Sequence, residues 1–80
     1  MIKSKKEILG EYLNDAVTTV IGKEIGISTL KKMKSDEVIA TKLDGRPMTA
    51  EERIVIMEKE LVAEKLRLEV IQKEYNSLTQ

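Results

Sequence analysis

The feature that most constrains this 80-residue chain is a long stretch without breaks: residues 50–78 contain neither glycine nor proline. They are rich in Glu, Lys, Leu and Ala, which are strong helix formers, so they predict one helix of about 45 Å. Thr49 followed by Glu52 supplies a capping box to open it. Just upstream, Asp44-Gly45-Arg46-Pro47 ends whatever precedes it, because Pro47 lacks a backbone donor and pushes Arg46 out of the α region. The long segment carries two apolar stripes. One is a heptad of Ile54, Met57, Leu61, Leu68, Ile71, Tyr75 and Leu78, interrupted at Glu64. The other is Ile56, Ala63, Leu66 and Val70. A helix that is apolar on two sides needs cover on two sides. The economical expectation packs the second stripe on the N-terminal helices and the heptad on a second copy; the alternative is a monomer whose short helices wrap most of the long one. In a parallel dimer Arg53 would face Glu58 and Glu60 would face Lys65, both pairs opposite in sign.

The first half reads as several shorter helices. Ser4 with Glu7 is another capping box, followed by Ile8, Leu9, Tyr12, Leu13, Ala16 and Val17 at three- and four-residue steps. Thr18 and Thr19 are β-branched and able to cap, which predicts a break there. A second short helix through Val20, Ile21 and Ile25 is expected to end at Gly26. Ser28 or Thr29 would cap a third, with Leu30 and Met33, and Ser35 with Asp36 a fourth, with Val38, Ile39 and Leu43. The expected organisation is one small all-α domain: an N-terminal helical region at 1–44, a linker turn at 45–48 and a long amphipathic helix at 49–80.

Composition narrows the chemistry. The chain has no His, Cys, Phe or Trp, so it offers no thiolate nucleophile, imidazole acid or base, disulfide or ordinary zinc site. The reading is a non-enzymatic protein with no catalytic residues, no metal and no cofactor. The carboxylates Glu58, Glu60 and Glu64 read as a solvated face. No apolar run approaches the ~20 residues that span a bilayer, and no leader opens the chain, so a cytoplasmic protein is expected. Formal net charge is zero. It divides unevenly, because residues 1–34 carry seven lysines against four acidic groups, net +3. Residues 49–80 carry five basic groups against seven glutamates, net −2. A basic front and an acidic back suit a chain that meets a polyanion at one end and its own kind at the other.

Gly22, Gly26, Ile27 and Ser28 stand in the order a helix-turn-helix requires: a small residue mid-helix, a turn glycine, an apolar residue and a polar cap. Residues 11–34, EYLNDAVTTVIGKEIGISTLKKMK, resemble the helix-turn-helix of the small subunit of insertion-sequence transposases. Residues 45–78, GRPMTAEERIVIMEKELVAEKLRLEVIQKEYNSL, resemble that subunit's linker and leucine-zipper tail. The resemblance implies that Ser28, Thr29, Lys31, Lys32 and Lys34 face duplex DNA. It likewise implies that Ile54, Met57, Leu61, Leu68 and Ile71 form the zipper of a homodimer, to which the heptad adds Tyr75. Met33 stands where the family carries an aromatic, and the stretch after Ser28 has no Arg or Gln for base readout. The leading expectation is a DNA-associated dimer that neutralises phosphates with its lysine cluster. The alternative is a phage- or antitoxin-type adaptor or inhibitor, whose long helix lies on a protein partner and which binds no DNA.

Overall fold

A computed structural model describes residues 2–78 of the chain. Met1, Thr79 and Gln80, which end the expected 1–44 and 49–80 segments, lie outside the described residues. The elements run α1 (Lys5–Lys31), β1 (Val38–Thr41), β2 (Pro47–Thr49) and α2 (Ala50–Leu78). Gly10 lies beside Tyr75 and Gly26 beside Met57, so the two long helices run antiparallel along one another. The connection between them folds into a small β-hairpin.

The first helix forms as one piece where several were expected. Ser4 caps it, its hydroxyl accepting from the Glu7 N–H at 3.2 Å. Thr18 and Thr19 do not break it. Their hydroxyls donate back to the carbonyls of Asn14 (2.8 Å) and Asp15 (2.9 Å), and Thr29 does the same to Ile25 (2.9 Å). Such back-bonding satisfies the hydroxyl inside a continuing helix and removes the reason to cap a new one. Gly26 lies within α1, and the one glycine with positive φ among the described residues is Gly45, at +88°. The expected short helices, and the turn of the helix-turn-helix, are therefore replaced by a single 27-residue helix.

The segment around Val38 is likewise strand rather than helix, so the chain is mostly helical but not all-α. Val38, Ile39 and Thr41 are β-branched, a composition that suits a strand. Val38 pairs with Thr49, Ala40 with Met48 and Thr41 with Pro47, with a register shift between Val38 and Ala40. Asp44-Gly45 makes the turn between them. The Lys42 carbonyl accepts from Gly45 N–H at 2.9 Å, and Lys42 N–H donates to Arg46 O at 2.7 Å. The left-handed glycine at the end of this short loop is what a hairpin closed by a glycine bulge requires.

The second helix begins where the sequence says. Thr49 Oγ1 accepts from Glu52 N–H at 3.3 Å and the Glu52 carboxylate reaches back to Thr49 N–H at 3.4 Å. The loop covers two further donors at this end: Ala50 N–H donates to Glu37 O at 2.9 Å and Glu51 N–H to Ser35 O at 3.1 Å. A helix N-terminus leaves four such donors open, and the connection ties itself to α2 by filling them.

The core is the seam between the helices. On α1, Leu9, Leu13, Ala16, Val20, Lys23, Ile27 and Leu30 follow one another at alternating steps of four and three and are buried or half-buried. On α2 the matching row is Ile54, Met57, Leu61, Glu64, Leu68, Ile71 and Tyr75. Ala16, Val20, Ile27, Leu30 and Ile71 are buried there, and Ala50 is buried at the start of α2. The heptad stripe expected to zip onto a second copy is thus covered by α1 of the same chain. An antiparallel partner tied on by a short connection reaches it at no concentration cost. Of the N-terminal stripe, Leu9, Leu13 and Ala16 turn inward, while Ile8, Tyr12 and Val17 stay exposed.

Candidate functional site

The residues expected to face DNA cluster at the C-terminal end of α1. Ser28, Thr29, Lys31, Lys32 and Lys34 are all exposed. Lys31 lies in the last turn and Lys32 is the C-cap, its N–H donating to the Thr29 carbonyl at 3.2 Å. A helix C-terminus carries the negative end of the backbone dipole, and lysines there offset its free carbonyls. Anion sites are built at the opposite end, where N–H groups point outward. A shallow groove here is lined by Glu24, Ile25, Ser28, Thr29, Lys32 and Met33, and α2 contributes nothing to it. Ser28, Thr29 and Lys31 lie on α1, Lys32 caps it and Lys34 follows it, so the five sit at the end of one continuous helix rather than on a separate recognition helix.

The second stripe of α2 is the surface the fold leaves open. Ion pairs across the seam identify its two flanks. Glu24 reaches Lys65 at 3.8 Å on one flank. On the other, Asp15 reaches Arg67 at 3.8 Å and Lys23 reaches Glu60 at 3.7 Å. Residues three, four or seven apart on a helix share a face. Val17 and Ile21 therefore lie with Glu24, and Val62 with Lys65, on the first flank. Tyr12, Ile56, Ala63 and Val70 lie on the second. Leu66 and Ile25 point away from the seam. Along α2 the exposed residues Val62, Leu66 and Val70 form a ridge at four-residue steps, with 61, 59 and 61% of their surface open. Along α1 Val17, Ile21 and Ile25 form another at the same spacing.

Two charged side chains interrupt the seam itself. Lys23 and Glu64 occupy inward positions, with side chains 23 and 27% exposed. Lys23 turns to Glu60, and Glu64 accepts from Arg67 at 3.4 Å. They leave the packed row by bending to its edge, as long charged side chains do. The hairpin end holds its own pairs. Arg46 at 2.7 Å holds the Asp44 carboxyl below its ordinary range, helped by the Arg46 N–H at 3.1 Å. The Lys42 ammonium, with the Thr49 N–H behind it, lowers Glu52 in the same way. The Lys42–Glu52 pair ties the hairpin to α2, whereas Asp44–Arg46 lies within the turn itself; both carboxylates remain accessible to solvent, so neither pair stabilises the fold by much.

Among the described residues no group of three or more carboxylates is placed to hold a metal ion. No described helix is long and apolar enough to cross a membrane. Sequence reasoning singled out Leu66 and Val70 but missed Val62, Ile21 and Ile25. The signal was present in the four-residue spacing. It is obscured when Ile21 and Ile25 are read as part of a short helix ending at Gly26, which does not form. The chain matches no family model, no curated protein and no solved structure.

Proposed function

We propose that this protein is an interaction module: a preformed antiparallel helical hairpin that presents an uncovered apolar surface to another protein. The observation that carries this reading is the ridge of Val62, Leu66 and Val70, each more than half exposed on a helix whose other side is already packed. Contiguous exposed apolar residues on a soluble helix mark a surface used for association. Ridges at four-residue spacing fit the grooves of a partner helix. Covering the three-fifths of such a side chain that is open stabilises a complex by about 1–2 kcal/mol before the cost of association is subtracted. The seam gives the module its rigidity, so little ordering remains to be done when a partner arrives. The ion pairs flanking the ridge would set the orientation of docking.

The DNA-binding alternative has the lysine cluster in its favour. Against it stand the position of that cluster at a helix C-terminus and the balanced charge of the chain. A salt titration on a duplex separates the two. The module is expected to show no measurable duplex affinity at about 50 mM salt, whereas phosphate contacts would give a log–log slope of roughly −0.9 per contact. Tight binding that falls along such a slope, and is lost when Lys31 and Lys32 are both replaced by Ala, would overturn the proposal.

A further inference from the structure

We infer that a second copy of this chain covers the Val62–Leu66 side of the uncovered surface, the two hairpins stacking into a four-helix bundle. This inference rests on the interaction-module reading and gives it a partner. Three observations carry it. The first is surface. The chain exposes 6112 Å², whereas a compact monomer of 9.1 kDa is expected to expose about 4,900 Å². The excess of roughly 1,200 Å² exceeds the ~800 Å² that each partner of a standard interface buries. The second is shape. The radius of gyration is 17.0 Å and the molecule measures 50 × 23 × 15 Å, against about 11.6 Å for a compact chain of this length. A slab one helix thick has no inside apart from its seam, and a second slab laid on its broad side supplies one. The third is charge. Formal net charge is zero, so identical chains approach without long-range repulsion.

The flank marked by the Glu24–Lys65 pair is the better face for this contact. It carries Val17 and Ile21 from α1 and Val62 from α2, with Ile25 and Leu66 at its edges. Among the described residues one ion pair, Glu24–Lys65, crosses the seam there. The opposite flank carries two such pairs, Asp15–Arg67 and Lys23–Glu60, whose charged groups a partner would have to desolvate. A two-fold axis on the first flank places Ile21 and Val62 of each copy at the centre of the interface, where anchors contribute most. The heptad residues Leu61 and Leu68 stay within their own hairpin, which distinguishes this assembly from a zipper.

Sedimentation equilibrium of the intact chain tests the inference. The expected mass is twice 9.1 kDa at a loading of about 50 μM, unchanged by 1 M salt, since buried apolar contacts are not screened. Val62→Glu with Ile21→Glu should weaken association by at least about a hundredfold while retaining helicity, because each change sets a charge in the middle of the contact. Should that variant lose its helicity, Ile21→Ser is the milder probe, expected to weaken association about tenfold or more with the helical signal intact. Tyr12→Gln, on the opposite flank, should leave the mass unaltered. A wild-type chain that sediments as a folded monomer overturns the dimer. So does a dimer indifferent to both Ile21 variants, which would put the contact elsewhere. Neither result touches the interaction-module reading, which only DNA binding in the salt titration would remove.

Discussion

The two apolar stripes of α2 are similar in composition and opposite in fate. The row of Ile54, Met57, Leu61, Leu68, Ile71 and Tyr75 is taken up by α1, and Ile71 keeps only 8% of its surface. The row of Ile56, Ala63, Leu66 and Val70 remains open, with Leu66 and Val70 at about the exposure of an ordinary surface residue. The difference lies in the partner. The inner row repeats every 3.5 residues on average, and α1 offers a row with the same repeat, so the two mesh over their whole length. The outer row meets nothing in the chain with a matching repeat. One stripe is therefore a matter of folding, and the other is left at the surface, where Leu66 borders the proposed contact; single truncations should tell the two apart.

The largest effect is expected from that comparison. Ile71→Ala removes a buried side chain from the seam and should lower stability by about 2–5 kcal/mol, independent of protein concentration. Leu66→Ala should change the stability of dilute, monomeric protein by no more than about 0.5 kcal/mol, as is usual for exposed sites. Its effect should grow with protein concentration, because a self-associating surface links melting temperature to mass action. Thermal unfolding of both variants at low and high concentration checks the contrast. Equal losses at both sites in dilute solution would mean that Leu66 is packed within the subunit.

A smaller effect separates the hairpin end from the helical body. Thr49→Ala removes the side-chain acceptor for Glu52 N–H and one arm of the capping box. About 1 kcal/mol should be lost, seen as a shift in denaturant midpoint. The Ala50 and Glu51 donors would still be held by the loop carbonyls of Glu37 and Ser35, so amide exchange should quicken in the first turn of α2 and not in its middle. Unchanged stability within error would assign the start of the helix to those loop bonds alone.

What the sequence disclosed, and what it concealed, follows from the range of the interactions. The start of α2 at the Thr49 box, its unbroken run and its two stripes are local properties, and all are visible in residues 49–78. The hairpin was half visible. Asp44-Gly45 was read as a break, which it is, but the β-branched Val38 and Ile39 before it were read as helix. Their strand character depends on the pairing of Val38 with Thr49 and of Ala40 with Met48 across the turn, which no local pattern contains. The division of α1 into pieces failed for a different reason. Thr18, Thr19 and Gly26 are residues that end helices when nothing opposes them. Here Val20, Ile27 and Leu30 gain their burial only if the helix continues along α2. That gain outweighs a propensity cost of about 1 kcal/mol or less per residue. The candidate lysines were legible as a cluster, whereas their position at the negative end of a helix was not, because it required α1 to be whole.

The glycines of α1 provide the finest test of that continuity. A turn glycine and a helical glycine respond differently to alanine, since the first needs left-handed backbone whereas the second gains unless the added methyl lacks room. At Gly22 an added methyl group would meet nothing within 4 Å. With helical backbone and open space, Gly22→Ala should stabilise the protein by about 0.5–1 kcal/mol by restricting the unfolded chain. At Gly26 the same methyl would stand 2.6 Å from Met57 Cε. The propensity gain is the same there, but Met57 must swing its terminal methyl out of the seam. Because that atom is the far end of a flexible side chain, the displacement should cancel the gain rather than unfold the helix. Gly26→Ala is therefore expected to fall short of Gly22→Ala by roughly 1 kcal/mol. Adding Met57→Ala to Gly26→Ala should recover part of that shortfall relative to Met57→Ala alone, since neighbouring sites couple by about 0.5–3 kcal/mol. Chemical denaturation of the four proteins measures the coupling. If Gly26 were instead a turn between two helices, Gly26→Ala would be the most damaging of the set and Met57→Ala would not relieve it.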